Sequence, residues 1–210
     1  MAKRKRKKKY DAFGPNRIPI FLSIIIILIG SVVFVFSLGS LTKPANTLSL
    51  QQQEVNTNQE FINQLVPVAK ELHESYGILP SIILGQAILE SDWGKSELSA
   101  KYNNLFGIKS FNPNDESVKL STKEYKNGKW IDIKANFKVY RSWDDCMRDH
   151  TMLFVNGVDW DPYLYQGVLL ASDYKTAAIA LQTSGYATDP DYASKVIEVI
   201  EVNELYKYDQ

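Results

Sequence analysis

The stretch PSIILGQAILESDWG, residues 80–94, sets the arrangement of the fold because it predicts an apolar helix with a carboxylic acid near its end. Proline suits the first turn of a helix, so Pro80 marks the start, and the pattern continues to about Ser91. Glu90 shares a face with Gln86 and lies in the last turn, where the helix dipole is negative. Partial desolvation and the dipole both predict a raised pKa for Glu90, whereas a solvated glutamate is the ordinary alternative.

A second carboxylate, Glu124, lies in the clearest hairpin pattern of the sequence, residues 119–140. The dipeptide Asn127-Gly128 favours a two-residue type I′ turn, which places Glu124 opposite Ile131. Opposite residues share a face, and on this face a charge is costly unless it borders a cleft or has a partner. A register different by one residue would instead turn Glu124 to solvent. The other members of the predicted apolar face are Leu120, Thr122, Ile133, Ala135, Phe137 and Val139.

The rest of the folded part is predicted to be helical, so the fold class is α+β, with a helical domain and one β-hairpin wing. The first amphipathic helix is expected to open at Thr57 or Asn58, with Glu60 completing a capping box from Thr57, and to stop at Gly77. Pro67 predicts a kink or a break within it. Later helices are predicted over residues 142–154, 174–183 and 190–206, the first capped by Ser142 and the last by Thr188 or Asp189.

The N-terminal part of the chain predicts a membrane anchor. Residues 1–17 carry eight Lys or Arg and one Asp, and residues 18–38 carry no charge. A helix over residues 20–38 would span about 28 Å, which matches a bilayer core. The positive-inside rule then leaves the basic tail in the cytoplasm and the rest outside. A cleaved signal peptide is the alternative. Residues 39–56 are polar and Gln-rich, which predicts a linker before a folded domain at residues 57–210.

Several function classes are disfavoured by composition. Beyond residue 17 the chain has 16 Lys or Arg against 23 Asp or Glu, which disfavours nucleic-acid binding by the folded part. The lone Cys146 has no partner for an intrachain disulfide, and its place in a helix predicts a buried small hydrophobe rather than a nucleophile. His73 and His150 are the only histidines and begin no zinc motif, and no phosphate-binding glycine loop occurs. No metal or cofactor is expected.

Five motifs occur in a fixed order: AILESDWGKSELS, YNNLFGIK, TKEYKNGKW, FKVYRSW and SGYATDPDYASKV. Together they resemble the glucosaminidase domain of glycoside hydrolase family 73, over about residues 58–206. The resemblance implies a lysozyme-like α+β fold and cleavage of the β-1,4 bond after N-acetylglucosamine in peptidoglycan, or of a similar bond in related glycans. The Glu-Ser element alone would also suit lysozyme-like transglycosylases.

The resemblance also implies roles for particular residues. Glu90 matches the family's general acid, and Glu124 matches the hairpin glutamate to which a second catalytic role is usually assigned. A sugar's own acetamido group is the alternative to Glu124 in that role. Tyr186 and Tyr192 match positions that line the cleft and support catalysis. Trp93, Asn104 and Phe106 would help shape the glycan groove, with core packing as the ordinary alternative for Trp93 and Phe106.

These inferences combine into one expectation. The chain would be a single-pass protein of the cell membrane, held in the bilayer through residues 18–38, with an extracellular domain that hydrolyses peptidoglycan glycan strands. The sequence identifies no membrane-protein partner. The alternatives are a muramidase or lytic transglycosylase, and a glycan-binding protein whose carboxylates no longer act.

Overall fold

The computed structural model describes residues 44–126 and 129–210, and it shows a mostly helical domain with one two-stranded antiparallel sheet. The α+β architecture predicted for the folded part is therefore confirmed. The elements are α1 (Pro44–Tyr76), α2 (Pro80–Ser91), α3 (Glu97–Tyr102), β1 (Ser117–Lys126), β2 (Lys129–Lys138), α4 (Trp143–Asn156), α5 (Gln166–Leu169), α6 (Tyr174–Thr183), α7 (Tyr192–Val202) and a closing 3₁₀ helix (Leu205–Tyr208).

Helix α2 is the centre of the domain, with the bounds that the sequence predicts. Its residues from Pro80 to Ile88 are all buried, and it packs against α1, α6, α7 and the 3₁₀ helix. Gly85 permits a close approach to α7, because a Cβ at this position would lie 2.9 Å from Cγ1 of Ile200. The helix ends at Asp92, whose backbone is left-handed and whose N–H bonds to the carbonyl of Ile88. This end places Glu90 in the last turn.

Helix α1 begins at Pro44, so the capping box predicted at Thr57 is wrong and much of the predicted linker is helical. The Thr57 hydroxyl instead donates to the carbonyl of Glu54, inside the helix. The stretch between Pro44 and Thr57 contains no glycine or further proline, so nothing in it stops a helix. No break occurs at Pro67 either, because this residue lies on the exposed side, where water can satisfy the carbonyl that loses its partner. The helix ends before Gly77, as predicted.

The hairpin has the predicted register, with Glu124 opposite Ile131 and Lys126 opposite Lys129. Burial alternates along each strand. Thr122 and Phe137, which lie on the predicted apolar face, are buried, whereas their neighbours Ser121 and Asn136, which lie on the other face, are exposed. The turn residues, Asn127 and Gly128, lie outside the described residues.

Three local features differ from the sequence predictions. Helix α7 begins at Tyr192 rather than at Pro190, and its N-cap, Asp191, makes no side-chain capping bond. Asp189 instead accepts a hydrogen bond from the Asp191 N–H and forms an ion pair with Lys195. The short helices α3 and α5 were not predicted, although Ser96 caps α3 by accepting from the Ser99 N–H at 3.2 Å.

Within residues 44–126 and 129–210, no helix is both long enough and apolar enough to cross a membrane. The predicted membrane segment, residues 18–38, and the basic tail before it lie outside the described residues.

Candidate active site

Glu90 combines a buried carboxyl with one oxygen that has no hydrogen-bond partner among the described residues. Its Oε1 accepts a hydrogen bond from the Tyr192 hydroxyl at 2.9 Å. Its Oε2 is enclosed and makes no hydrogen bond, although part of the residue reaches the surface. Burial raises the pKa of Glu90 well above its ordinary range; the bond from Tyr192 opposes this shift, and the negative charge of Asp189 adds to it. The raised pKa that the sequence predicts is therefore confirmed, with burial as its main cause.

Two buried tyrosines lie next to Glu90 in the interior of the domain. Tyr192, the first residue of α7, has no exposed surface and touches the Glu90 carboxyl directly. Tyr186, equally buried, lies against it with ring centroids 5.6 Å apart. The hydroxyl of Tyr186 is 2.6 Å from Nε2 of His150. Burial above all, and the nearby Glu90 carboxyl, raise the pKa of both tyrosines, so both phenols stay neutral. The structure thus gathers these tyrosines around the predicted acid.

The other predicted catalytic residue, Glu124, is placed by its backbone alone. It lies on β1 opposite Ile131, on the hairpin face that includes Thr122 and Phe137. That face is well covered at Phe137 and opens toward the turn, where Ile131 is 38% exposed. The side chain of Glu124 lies outside the described residues, so its role stays a prediction.

Trp93 follows Glu90 in a tight reversal of the chain. Asp92 and Trp93 both have left-handed backbones, with φ of 51° and 59°, and Gly94 has φ of 74°. The Gly94 N–H donates to the Ser91 hydroxyl at 2.7 Å, which closes the reversal. The Trp93 ring is partly buried and meets Phe61 edge-on at 6.0 Å. Trp93 therefore has both the core contact and some of the exposure that glycan contact would require.

Asn104 and Phe106 are enclosed. Asn104 accepts from the Ile108 N–H and donates to the carbonyls of Ile108 and Lys138, each at 2.9 Å, which ties its loop to β2. Phe106 stacks on the His150 ring at 3.8 Å. Neither side chain offers a surface to a ligand, so any influence on a glycan groove acts through the loop that these residues hold.

A cavity of about 400 Å³ lies beside this loop, between the end of β2 and α4. Tyr186 and His150 line it, together with Ile108, Phe111, Asn112 and Leu153, among others. Glu90 is not among the lining residues, so Tyr186 is what connects the cavity to the environment of the acid.

Other chemistry has little support within the described residues. No group of three His, Cys, Asp or Glu side chains there could hold a metal ion. Cys146 is fully buried, as predicted, and burial raises the pKa of its thiol to about 12. Burial also lowers the pKa of His150 to about 3, so this imidazole is neutral. A neutral histidine and an un-ionised thiol do not form an activated nucleophile.

Sequence reasoning missed the part that Gln86 plays. It was noted only as a neighbour of Glu90 on α2, yet its Nε2 donates to the Tyr192 hydroxyl at 2.9 Å. The four-residue spacing from Glu90 was the available signal, but Tyr192 is remote in sequence and nothing local predicts the contact.

Comparison with known proteins supports the resemblance seen in the motifs. The family model described as mannosyl-glycoprotein endo-beta-N-acetylglucosaminidase matches residues 66–205. The exo-glucosaminidase LytG of Bacillus subtilis is 48% identical over 171 residues, which cover 81% of this chain and 60% of that protein. A probable N-acetylmuramidase of Lactococcus lactis is 37% identical, over 78% of this chain and 37% of that protein. The chain thus spans less than two thirds of the length of these relatives.

The fold is shared with a solved autolysin. The catalytic domain of the autolysin Auto from Listeria monocytogenes superimposes with a TM-score of 0.66 at 36% identity, covering 81% of this chain and all of that domain. With the family match over residues 66–205, the conclusion is direct: this chain belongs to the glucosaminidase family of glycoside hydrolases.

Proposed function

We propose that the domain hydrolyses peptidoglycan as an endo-β-N-acetylglucosaminidase, cutting the β-1,4 bond between N-acetylglucosamine and N-acetylmuramic acid. The family model, described as an endo-β-N-acetylglucosaminidase, supports this activity, whereas the name of the LytG relative supports a glucosaminidase but specifies exo action. One observation carries the proposal: Glu90 has a raised pKa and an enclosed carboxyl oxygen, Oε2, that makes no hydrogen bond to any described residue. A carboxylic acid that stays protonated is what the departing glycosidic oxygen needs.

Glu90 acts as the general acid in this scheme. Oε2 delivers its proton to the glycosidic oxygen as the bond to C1 breaks, and Glu90 becomes a carboxylate. The Tyr192 hydroxyl already donates to Oε1, so it stabilises the charge that appears at this step. Because Oε2 is enclosed in the structure, glycan binding has to uncover it.

The second role falls to Glu124 or to the acetamido group of the substrate. Glu124 would assist the attacking water or stabilise positive charge at C1, and a carboxylate on a separate element is the usual arrangement in glycoside hydrolases. The acetamido group would instead attack C1 from within the sugar. Trp93 is partly exposed and completes the proposed substrate environment, whereas Tyr186 and Tyr192 are buried and support Glu90 from within the domain. Asn104 and Phe106 support the site through the loop that they anchor.

Mass spectrometry of digested, borohydride-reduced peptidoglycan tests the bond specificity. Reduced N-acetylglucosamine ends would support the proposal. Reduced muramic acid ends would indicate a muramidase, as the name of the Lactococcus relatives suggests for those proteins, and anhydro ends a transglycosylase. The size of early products separates endo from exo action, because an endo enzyme releases mixed oligosaccharides and an exo enzyme releases small units from chain ends. No cleavage by the parent would favour a glycan-binding protein.

We also propose that residues 18–38 anchor the protein, with the domain on the outer face of the cytoplasmic membrane, where it trims nearby glycan strands. The support is the uncharged run beside a cluster of seven consecutive Lys and Arg, residues 3–9. The full chain should stay with membranes after an alkaline wash, whereas a chain cut after residue 38 should be released. A fully active form found free in the medium would contradict the anchor.

A further inference from the structure

Gln86 is a buried amide placed one helical turn before the proposed acid. It has no exposed surface, and its Nε2 donates to the hydroxyl of Tyr192 at 2.9 Å. The same hydroxyl is 2.9 Å from Oε1 of Glu90. Gln86 and Glu90 thus lie on one face of α2 and share a single phenol from α7. A buried amide that bonds to a group in the active site constrains that group more strongly than water would.

The count of protons along this chain of bonds decides the direction of each bond. A phenol has one proton to donate and also accepts. Since the amide N–H of Gln86 donates to the Tyr192 oxygen, the phenol proton is left for Oε1 of Glu90. Oε1 is then an acceptor, and the proton of the neutral carboxyl lies on the other oxygen. That oxygen, Oε2, has no protein partner.

We infer that Gln86 is a positioning residue: by donating to Tyr192 it directs the tyrosine proton to Oε1 of Glu90 and leaves the acid proton on Oε2, where a glycosidic oxygen can take it. This inference rests on the proposed function for its catalytic consequence, but the placement of the proton does not depend on the substrate. Glu90 remains the catalytic residue, and Gln86 acts on it through Tyr192.

Tyr186 packs against Tyr192, and His150 bonds to Tyr186. The Tyr186 hydroxyl is engaged by His150 Nε2 at 2.6 Å, and its ring lies against that of Tyr192. A side-chain hydrogen bond from Gln86 also lowers the pKa of Tyr186, but Tyr192 is the phenol that bonds to Glu90, so Gln86 reaches the acid through Tyr192. Among the described residues, the charged group that shifts the pKa of Glu90 is Asp189, which is paired with Lys195.

The opposite arrangement makes the opposite prediction. If the amide oxygen of Gln86 faced Tyr192, the phenol would donate to Gln86 and would accept from Glu90. The acid proton would then lie on Oε1 and point into the protein. Tyr192 would then stabilise the protonated carboxyl rather than the carboxylate. Loss of the Gln86–Tyr192 bond therefore raises the pKa of Glu90 in the first arrangement and lowers it in the second.

Carboxyl ¹³C NMR of the full chain in mild detergent distinguishes these cases without substrate. The Glu90 resonance is identified by its absence in Glu90→Gln. We expect Gln86→Met, which keeps the length and removes the amide, to raise the pKa of Glu90, because the carboxylate loses an oriented donor. A lowered or unchanged pKa would overturn the inference. Gln59→Met, at an exposed glutamine on α1, is the matched control and should leave the pKa of Glu90 unchanged.

Kinetics on peptidoglycan fragments add the catalytic readout. Gln86→Met should lower kcat by about tenfold with little change in KM, and should move the alkaline limb of the pH profile upward. In a Tyr192→Phe background the same substitution should have little further effect, since Gln86 acts through Tyr192. Multiplied losses in the double variant would indicate a packing role and would refute positioning. An inactive parent would refute the proposed function but leave the NMR result valid.

A second variant covers the case in which Gln86→Met does not fold, as judged by circular dichroism. Tyr192→Phe keeps Gln86 in place and removes the hydroxyl alone. It should raise the pKa of Glu90 in the same NMR measurement, and a decrease would show that the phenol accepts from Glu90 and would overturn the inference.

Discussion

The end of α2 and the end of the hairpin each present a glutamate, and they do so by different means. Glu90 is set by tertiary contacts: α2 is buried on all sides, and α7 supplies the phenol that bonds to Oε1. Glu124 is set by local pairing in a two-stranded sheet, opposite an Ile131 that is 38% exposed. Enclosure raises a carboxyl pKa, whereas a position near an open hairpin end does not by itself do so. This difference supports the proposal that the acid is the glutamate of α2.

The same comparison bears on the second step of the proposed reaction. The hairpin is tied to the rest of the domain near its base, where the Ser110 N–H bonds to the carbonyl of Asn136, whereas Glu124 lies toward its turn. The general acid has to be protonated when the substrate binds, whereas the second carboxylate only has to lie close to C1 of the sugar. The predictions below test this division, from the largest expected effect to the smallest.

Glu90→Gln should lower kcat by about a hundredfold to ten-thousandfold with little change in KM, because the amide cannot deliver a proton. The release of dye-labelled fragments from peptidoglycan measures this loss. Glu198→Gln, at an exposed glutamate on α7, is the control and should keep parental activity. Unchanged release of fragments by Glu90→Gln would show that Glu90 is not the general acid.

Glu124→Gln should have the smaller catalytic effect, a loss of about tenfold to a hundredfold in kcat, if the carboxylate supports water or charge at C1. Asp132→Asn, at an exposed position of β2, provides the control on the opposite hairpin face. Parental activity in Glu124→Gln would assign the second role to the substrate's acetamido group. A loss as large as that of Glu90→Gln would show that the two carboxylates contribute equally.

Gly85→Val should lower the free energy of unfolding by about 1–3 kcal/mol, because a Cβ at residue 85 would lie 2.9 Å from the Ile200 side chain and would force α2 and α7 apart. The same displacement moves Tyr192 from Glu90, so kcat should fall as well. Denaturant unfolding of the full chain in detergent measures the first effect. Gly167→Ala, where the added Cβ would lie 3.4 Å from that of Ala180, is the milder control. Equal stability of the two variants would contradict the close packing.

Glu90→Gln should also change the pH dependence of stability. The pKa of Glu90 is higher in the folded protein than in the unfolded chain. While the carboxyl is protonated in both states, its ionisation does not lower the free energy of unfolding. The cost appears as pH rises above the ordinary glutamate range, where the unfolded chain ionises more readily than the folded one. The variant should therefore match the parent in Tm near pH 4 and exceed it by a few °C at pH 8. A difference that is the same at both pH values would argue against a raised pKa.

Helix α2 and the hairpin were predictable because their signals are local. Pro80 begins the helix, and an Asn-Gly pair sets the strand register, so short-range sterics decide both. The start of α1 was missed because a polar helix and a polar linker have similar composition, and only the absence of a breaker after Pro44 distinguishes them. The start of α7 was missed because Asp189 pairs with Lys195 instead of capping the helix.

The amino-acid sequence by itself determined which residues are proposed to carry the chemistry: a glutamate at the end of an apolar helix and a second on a hairpin of predictable register, within motifs typical of a glucosaminidase. Only the tertiary structure decided how Glu90 is protonated. Gln86 and Tyr192 are far apart in the chain and meet where α7 packs on α2, so no local pattern predicts the bond between them. Enclosure and hydrogen-bond direction are properties of that packing, and together they set the pKa of Glu90 and the oxygen that holds its proton.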